Sequence, residues 1–270
     1  MDTTLFVGCG LGFVVGFLLS LTGAGGAILS VPLLGFGLHL TVAQAGPIGL
    51  LAVCLSSGVG ALLALRAGIL RYRAASFMAL FGLILSPFGL WLATRVPNRP
   101  LTIIFSLVLF FVASRLLYQA YRELKGIPDD ARRPPPCLLN QSIGRLIWTV
   151  PCARSLALAG AVAGFFSGLL GVGGGFIIVP SLKRFTDFPV QSIVATSLGV
   201  LTIVSFGNVV IATATGNMIW PIAIPFASGA LSGMLIGRQI SNRITGPRLQ
   251  QFFAIFTLSI AVMMLAKALL

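Results

Sequence analysis

Charged residues are scarce in this sequence, and acidic residues are the scarcest of them. Only 9% of the 270 residues are Asp, Glu, Lys or Arg, against roughly 25% in an ordinary soluble domain, so a soluble globular domain is excluded. Hydrophobic residues make up 57% of the chain, in runs long enough to cross a bilayer core of about 30 Å as helices. The runs are continuous rather than alternating, which favours helices over a closed barrel. The sequence therefore predicts an all-α integral membrane protein.

The chain has five acidic residues and one histidine, and no acidic residue falls inside a predicted membrane crossing. Proton-driven carriers commonly use buried carboxylates or histidines as relays, so the sequence predicts no proton relay. Hydrolysis and metal chemistry need a base, a nucleophile or a cluster of ligands. The sequence contains no such grouping, so we expect no enzyme activity, no cofactor and no metal. The residues concerned are Asp2, Glu123, Asp129, Asp130, Asp187 and His39.

The cysteines show no spacing typical of a metal site, and they are interpreted as small apolar residues. They are Cys9, Cys54, Cys137 and Cys152. The sequence begins Met-Asp-Thr-Thr, with no basic region before the apolar run. The first segment therefore does not resemble a typical cleaved signal peptide.

An internal repeat organises the chain. The stretch 16–34 returns 148 residues later as 164–182, with nine of nineteen positions identical, and the same offset pairs further identical residues toward the end of each half. A repeat of this kind fixes the architecture as a duplicated unit. Each copy opens on glycines inside an apolar run. We call residues 23–26 the first Gly-rich turn and residues 171–175 the second Gly-rich turn.

Five apolar segments are predicted in each half. The division gives a first transmembrane repeat at 1–121, a cytoplasmic basic Pro-rich linker at 122–153 and a second transmembrane repeat at 154–270. The second segment of each half is short, because about 14 residues at 1.5 Å each reach only about 21 Å. Segments 1 and 2 are therefore expected to be short or re-entrant around the Gly-rich turn. The segments lie near 4–22, 24–38, 42–65, 74–95, 100–121, 156–170, 174–185, 190–214, 218–238 and 248–269.

The distribution of basic residues predicts the topology. If each half crosses the membrane an odd number of times, one side carries fourteen basic residues and the other three; with four crossings the counts are ten and seven. The positive-inside bias favours the odd number. An odd-crossing repeat followed by its copy inserts upside down, so the halves are predicted to be inverted-topology repeats, as in many secondary transporters. Both termini then lie outside, and the net charge of +13 needs no nucleic-acid partner.

The Gly-rich turns are the main candidates for a functional site. A phosphate-cradling nucleotide loop needs a strand before it and a soluble helix after it, and here both flanks are membrane segments. One remaining interpretation is close helix packing through small residues. The other is an anion site, formed by free backbone N–H groups and the positive end of a helix that starts at Gly26 or Gly174. Two inverted turns would meet at the repeat interface, where transporters place their substrate.

Neutral polar side chains within the segments extend this candidate site. A Ser or Thr in a membrane helix often bonds its own backbone carbonyl, and that alternative stays open for each hydroxyl. Arg115 could draw anions into an inner vestibule, or it could reach out to the lipid headgroups. The candidate substrate-binding residues are Thr22, Gly23, Gly25, Gly26, Gln44, Ser56, Gly171, Gly173, Gly174, Gly175, Gln191, Thr196, Ser197 and Asn208.

The two Gly-rich motifs ending in Val-Pro, with Ala195-Thr-Ser197 and Gly216-Asn-Met-Ile-Trp220, resemble the sulfite exporter TauE/SafE family over residues 5–269. The resemblance implies a prokaryotic-type permease of the inner (cytoplasmic) membrane for sulfur-containing anions such as sulfite, sulfoacetate, other organosulfonates or thiosulfate. The first half departs from the pattern, with Pro47-Ile-Gly49 where the second has Ala-Thr-Ser. Polar substrate contacts are therefore expected mostly from the second half.

The expected function is a secondary transporter or uniporter that exports a small sulfur-containing anion held between the two Gly-rich turns. Its expected partners are that anion and the lipid bilayer. A permease for another small solute remains an alternative, as does a non-transport membrane assembly subunit. Monomer and homodimer both stay open.

Overall fold

The computed structural model describes residues 2–22, 26–125, 137, 139–140, 145–146, 148–241 and 247–269. Within these residues the chain forms ten α-helices, in agreement with the predicted all-α class. They are α1 (Asp2–Thr22), α2 (Ser30–Gly37), α3 (Val42–Arg66), α4 (Tyr72–Arg95), α5 (Asn98–Leu124), α6 (Val150–Leu170), α7 (Gly175–Phe185), α8 (Val190–Ala214), α9 (Trp220–Ser241) and α10 (Pro247–Leu269).

Three smaller elements complete the described fold. A 3-10 turn, Gly26–Leu29, precedes α2, and the two-residue strands β1 (Leu139–Asn140) and β2 (Arg145–Leu146) pair antiparallel. Both strands lie in the stretch predicted as a linker. The neighbouring helices reach into that stretch as well, because α5 continues to Leu124 and α6 begins at Val150.

Seven of the described helices are long and apolar enough, by length and composition, to cross a membrane. Shorter apolar helical stretches occupy Leu5–Leu21 and Gly26–Gly37. The second helix of each half is short, as predicted: α2 has 8 residues and α7 has 11. The chain is therefore a multi-pass membrane protein with two short helices set among long ones.

The helix bounds repeat along the chain at the offset of the sequence repeat. Helices α1 and α6 begin 148 residues apart and end 148 residues apart, and the same holds for α3 and α8. Equivalent sequences have thus folded into equivalent elements.

Glycine contacts pack the halves against each other through two helix pairs. A β-carbon on Gly16 of α1 would lie 1.9 Å from the carbonyl oxygen of Ala230 in α9. In the second pair, a β-carbon on Gly164 of α6 would lie 2.2 Å from the carbonyl oxygen of Gly82 in α4. No side chain fits at such separations, so these motif glycines serve close helix packing.

The contacts along each pair also give its direction. Gly8 of α1 lies beside Pro225 of α9, whereas Ser20, near the other end of α1, lies beside Gly237. Residue numbers rise together along both helices, so α1 and α9 run parallel. Helices α6 and α4 behave in the same way, from the Gly160 contact with Met78 at one end to the contact of Gly168 with Ser86 at the other.

Helices α3 and α8 pack antiparallel. Ser57 of α3 lies 3.0 Å from the Thr202 hydroxyl of α8, and three residues further along α3 Gly60 lies against Leu198. Residue numbers therefore rise on α3 while they fall on α8. This pair forms the centre of the bundle, since 56% and 67% of the apolar stretches of α3 and α8 are buried, the highest fractions among the seven long helices.

The prediction that all four cysteines are simple apolar residues is wrong for two of them. Cys137 and Cys152 form a disulfide, and both are fully buried. The backbone of Cys137 also pairs with the end of α7, because its N–H donates to the carbonyl of Phe185 and its own carbonyl accepts from the N–H of Asp187. The disulfide therefore joins the start of α6 to the end of α7 through a linker residue.

Candidate functional site

The second Gly-rich turn joins α6 to α7 through a left-handed backbone. Gly171, Gly173 and Gly174 have φ values of 70°, 74° and 73°. An L-residue in this conformation costs roughly 1–2 kcal/mol, whereas glycine adopts it freely. The N–H of Gly171 donates to the carbonyl of Ser167 at 2.9 Å and closes α6. The glycines therefore allow the chain to reverse direction within a few residues.

Two of these glycines are pressed against neighbouring backbone. A β-carbon on Gly171 would lie 2.0 Å from the Cα of Gly46 in α3, and one on Gly174 would lie 2.4 Å from the carbonyl oxygen of Ala163 in α6. Neither neighbour can move without shifting a helix. At these two positions close packing is by itself a sufficient reason for glycine.

Gly173 has a different environment. A β-carbon there would meet only side chains, 2.8 Å from Leu201 Cδ2, 3.1 Å from Val53 Cγ1 and 3.3 Å from Ser205 Oγ. Val53 and Leu201 are each the twelfth residue of a 25-residue helix. Gly173 therefore lies at mid-length of α3 and α8, at the centre of the bundle.

Helix α7 begins at Gly175, two residues after Gly173. The N–H groups of Ile177 and Ile178 both donate to the carbonyl of Gly174. The preceding N–H groups, of Gly175 and Phe176, belong to the first turn and have no acceptor within the helix. Gly174 provides no side-chain cap. The positive end of an 11-residue helix is thus left for a negatively charged group.

Two buried hydroxyl groups lie on the central helices without a hydrogen-bond partner among the described residues. They are Ser56 Oγ on α3 and Ser205 Oγ on α8. Leaving a buried polar group unpaired costs about 1–3 kcal/mol, so each such group requires an explanation. Ser205 lies beside Gly173, two residues before α7 begins, so its hydroxyl is a candidate donor to a ligand held at this turn.

Most of the first Gly-rich turn lies outside the described residues. Gly23 and Gly25 fall there, and Thr22 is described only as the last residue of α1. Gly26 begins the 3-10 turn, where its β-carbon would lie 2.2 Å from the N atom of Leu19. Gly26 is therefore a packing position, like Gly174 at the equivalent place in the second half.

Three predicted residues of α8 lie at two levels of that helix, Thr196 with Ser197 near its start and Asn208 further along. Asn208 is fully buried in a polar cluster, in which Ser86 donates to its Oδ1 and its Nδ2 donates to Ser167 at 3.2 Å. Thr196 accepts from the N–H of Arg71 at 3.3 Å, and Ser197 donates to its own helix at 2.8 Å. Twelve residues separate Thr196 from Asn208, which is about 18 Å of helix. One small anion cannot contact both.

The remaining candidates lie away from the second Gly-rich turn. Gln44 is exposed and its Oε1 accepts from the N–H of Thr41 at 3.1 Å, so it forms a capping box at the start of α3. Gln191 is exposed at the start of α8. Arg115 is exposed on α5, and Phe111 and Tyr118 on the same helix face are 65% and 62% exposed. This outward face favours headgroup contact over a vestibule for Arg115.

Ser205 is absent from the predicted site residues. A signal for it exists in the sequence, because Ser57 and Ser205 are serines at equivalent positions of the two repeats. Their surroundings differ, however. Ser57 bonds Thr202, while Ser205 has no partner among the described residues. The repeat could have identified Ser57 and Ser205 as a pair of candidate residues. Only the packing shows that Ser57 has a hydrogen-bond partner and that Ser205 has none among the described residues.

In the described residues, seven long apolar helices around a buried glycine turn define a multi-pass membrane protein. The chain belongs to the sulfite exporter TauE/SafE family, whose family model matches residues 8–264. The family resemblance predicted from the Gly-rich motifs is thereby confirmed.

Individual relatives agree with this class. A probable membrane transporter protein of Xylella fastidiosa is 29% identical over 268 residues, which cover 96% of this chain and 94% of the relative. The probable membrane transporter protein YunE of Bacillus subtilis is 27% identical over 256 residues, with 87% of each chain covered. No solved structure matches the chain. Family and relatives together identify a membrane transporter.

Proposed function

We propose that this protein is a uniporter or secondary transporter that moves a small sulfur-containing anion outward across the cytoplasmic membrane. The substrate class is sulfite, sulfoacetate, another organosulfonate or thiosulfate. The proposal is supported by the second Gly-rich turn, where Gly173 lies beside the Ser205 hydroxyl, which has no partner among the described residues, and α7 begins two residues later. Sulfur oxyanions accept several hydrogen bonds at once, which suits this set of donors.

The transport step follows from the neutral character of the site. The helix end and the hydroxyl stabilise an anion without a full positive charge, so the anion can also leave. A membrane that is negative inside drives an anion outward by about 2.3 kcal/mol per charge per 100 mV. That energy corresponds to a concentration ratio of roughly 50. Export therefore needs no proton relay, consistent with the absence of acidic residues from the predicted crossings.

The proposed architecture is a pair of inverted repeats. It is supported by the antiparallel packing of α3 and α8, which occupy equivalent positions in the two halves. If both helices span the membrane, one runs outward while the other runs inward, as inversion requires. The parallel pairs α1 with α9 and α4 with α6 fit the same arrangement. The positive-inside count then assigns the linker to the cytoplasm and both termini to the outside.

Purified protein in sealed liposomes tests the transport step. We expect uptake of sulfite, sulfoacetate or thiosulfate when a potassium gradient with valinomycin makes the interior positive, and we expect uptake to reverse with the sign of the potential. The control is a liposome of equal lipid composition without protein. Uptake that requires a pH gradient and ignores the potential would contradict the uniport mechanism.

The Cys137–Cys152 pair provides a test of the orientation. The two sulfurs are placed to form a disulfide, but thiols in the cytoplasm are kept reduced. If the linker is cytoplasmic, we therefore expect the disulfide to be absent in growing bacterial cells and to form only after the protein is exposed to air. Cells quenched in acid, denatured and treated with a maleimide mass tag should then add four tags to the protein, one for each cysteine. The Cys137→Ser, Cys152→Ser variant should add two. Two tags on the wild-type protein would instead indicate an oxidising compartment and the reverse orientation.

A further inference from the structure

A second candidate site lies at the end of α2 that is remote from the first Gly-rich turn. A cavity of about 150 Å³ opens there between α2, α5 and α10. A cavity of this volume holds a molecule roughly the size of benzene, so sulfite or a short organosulfonate fits inside it. Its polar lining comes from Asn98, Arg99, Thr102 and Lys267. None of the described residues that line it is acidic.

Three of the four polar side chains of this cavity present donors, and the fourth, Thr102, presents an acceptor. Arg99 and Lys267 carry positive charges and have no acceptor atoms in their side chains. Asn98 Oδ1 accepts from the N–H of Val42 at 3.2 Å, which fixes the amide and leaves its NH₂ group as the remaining donor. The hydroxyl of Thr102 donates to the Asn98 carbonyl at 2.7 Å. The cavity therefore complements a group with several negatively charged oxygens and repels cations.

Two further features support an anion at this place. Asn98 begins α5, a helix of 27 residues, and the positive end of that helix faces the same region. Lys267 Nζ lies 5.6 Å from the ring centroid of Phe36, which also lines the cavity. This cation–π contact keeps the exposed ammonium group of Lys267 next to the cavity lining.

The opposite half supplies basic residues in a different way. The last turn of α7 carries Lys183 and Arg184, whereas the last turn of α2 carries no basic residue. At the end of α2 the two cations come instead from α5 and α10. Each short helix thus has a basic pair at the end remote from its Gly-rich turn, although the repeat does not conserve the positions.

We propose that this cavity is an oxyanion-binding site, occupied by the transported anion on its way to the outer surface. The inference rests on the proposed function for its role in transport and for the side on which it opens. The chemistry it recognises is an XO₃ group, which sulfite and sulfonates share with the phosphate of a lipid headgroup. The experiment below therefore separates the two sources.

The test compares full-length variants in vesicles of pure phosphatidylcholine, which contain no anionic lipid. Arg99→Gln with Lys267→Met removes both charges from exposed side chains. Asn98→Asp keeps the acceptor for the Val42 N–H but replaces the donor with a carboxylate. We expect each variant to need about 10-fold more sulfite for half-maximal uptake, with the maximal rate unchanged. The matched control is Arg95→Gln, which removes a cation stacked on Trp91 and absent from the cavity lining; it should behave as wild type.

Binding of sulfite to the purified proteins is measured in parallel by calorimetry. Unchanged half-saturation and unchanged binding in both variants would overturn the proposed site. A headgroup site would be indicated if phosphatidylglycerol in nanodiscs bound the wild type more tightly than the double variant while the sulfite response stayed equal, and this too would overturn the exit role. If the wild type binds sulfite through these residues but transports none of the anions, the proposed function fails while the site stands.

Discussion

Gly173→Ala is expected to reduce transport at least 100-fold in a protein that still folds. The added methyl group would press against Leu201, Val53 and Ser205, whose side chains must shift to admit it. Its left-handed φ of 74° costs roughly 1–2 kcal/mol for alanine, an amount that a membrane protein of this size can tolerate. The substitution therefore adds a group beside the Ser205 hydroxyl, where the anion is proposed to bind, and displaces side chains rather than a helix.

Gly174→Ala is the matched comparison for this prediction. Gly174 has nearly the same φ, 73°, but its β-carbon would lie 2.4 Å from the carbonyl oxygen of Ala163. Because that atom is backbone, α6 and α7 must separate, and we expect loss of folded protein. Fluorescence-detected size-exclusion chromatography measures folding, and liposome uptake measures transport. Gly173→Ala with wild-type uptake would exclude the second Gly-rich turn as the substrate site.

The comparison also separates two roles that the sequence could not distinguish. Packing and anion binding were both open for every motif glycine, because both functions favour small residues and sharp turns. The structure assigns packing to Gly16, Gly164 and Gly174 through backbone contacts below 2.5 Å. It leaves Gly173 as the position where a ligand and a side chain would compete. Such a difference depends on which helix lies opposite, and no local pattern contains that information.

Other parts of the fold could be predicted because they depend on local sequence. The repeat offset of 148 recurs in the bounds of α1 with α6 and of α3 with α8, since equal sequences carry equal helix signals. The role of Gln44 was also readable, because Thr41-Val-Ala-Gln44 matches the S/T-x-x-Q capping box before an apolar run. We assigned it to substrate binding because a polar residue near a membrane segment suggests function, and the cap accounts for it without a ligand.

The disulfide could not be predicted from cysteine spacing. Cys137 and Cys152 lie 15 residues apart, and nothing in that separation specifies a bond. Their approach depends on Cys137 pairing with the end of α7, a contact between the linker and the second half. The inferred cytoplasmic location of the linker also argues against a permanent disulfide. Neither the tertiary contact that brings the two cysteines together nor the redox state of their compartment can be predicted from the local sequence.

Ser205→Ala is expected to lower transport roughly 10- to 100-fold while leaving the protein as stable as wild type or more stable. A hydrogen bond to a charged group contributes about 1.5–3 kcal/mol, and the variant removes one such bond to the anion. In the empty protein, however, Ser205 Oγ is buried without a partner among the described residues. Removing an unpaired buried hydroxyl relieves its desolvation penalty, so function and stability should change in opposite directions.

Ser57→Ala is the control that the repeat itself offers, since Ser57 is the equivalent of Ser205 in the first half. Thr202 donates its hydroxyl hydrogen to the carbonyl of Leu198 at 2.8 Å, so Ser57 is the donor in the 3.0 Å contact between the two hydroxyls. Its removal should cost about 0.6–1 kcal/mol of stability and leave transport close to wild type. Thermal unfolding in detergent and initial rates of potential-driven uptake measure the two quantities. A Ser205→Ala protein that loses stability but keeps transport would make Ser205 a packing residue, because only a ligand contact predicts the opposite pattern.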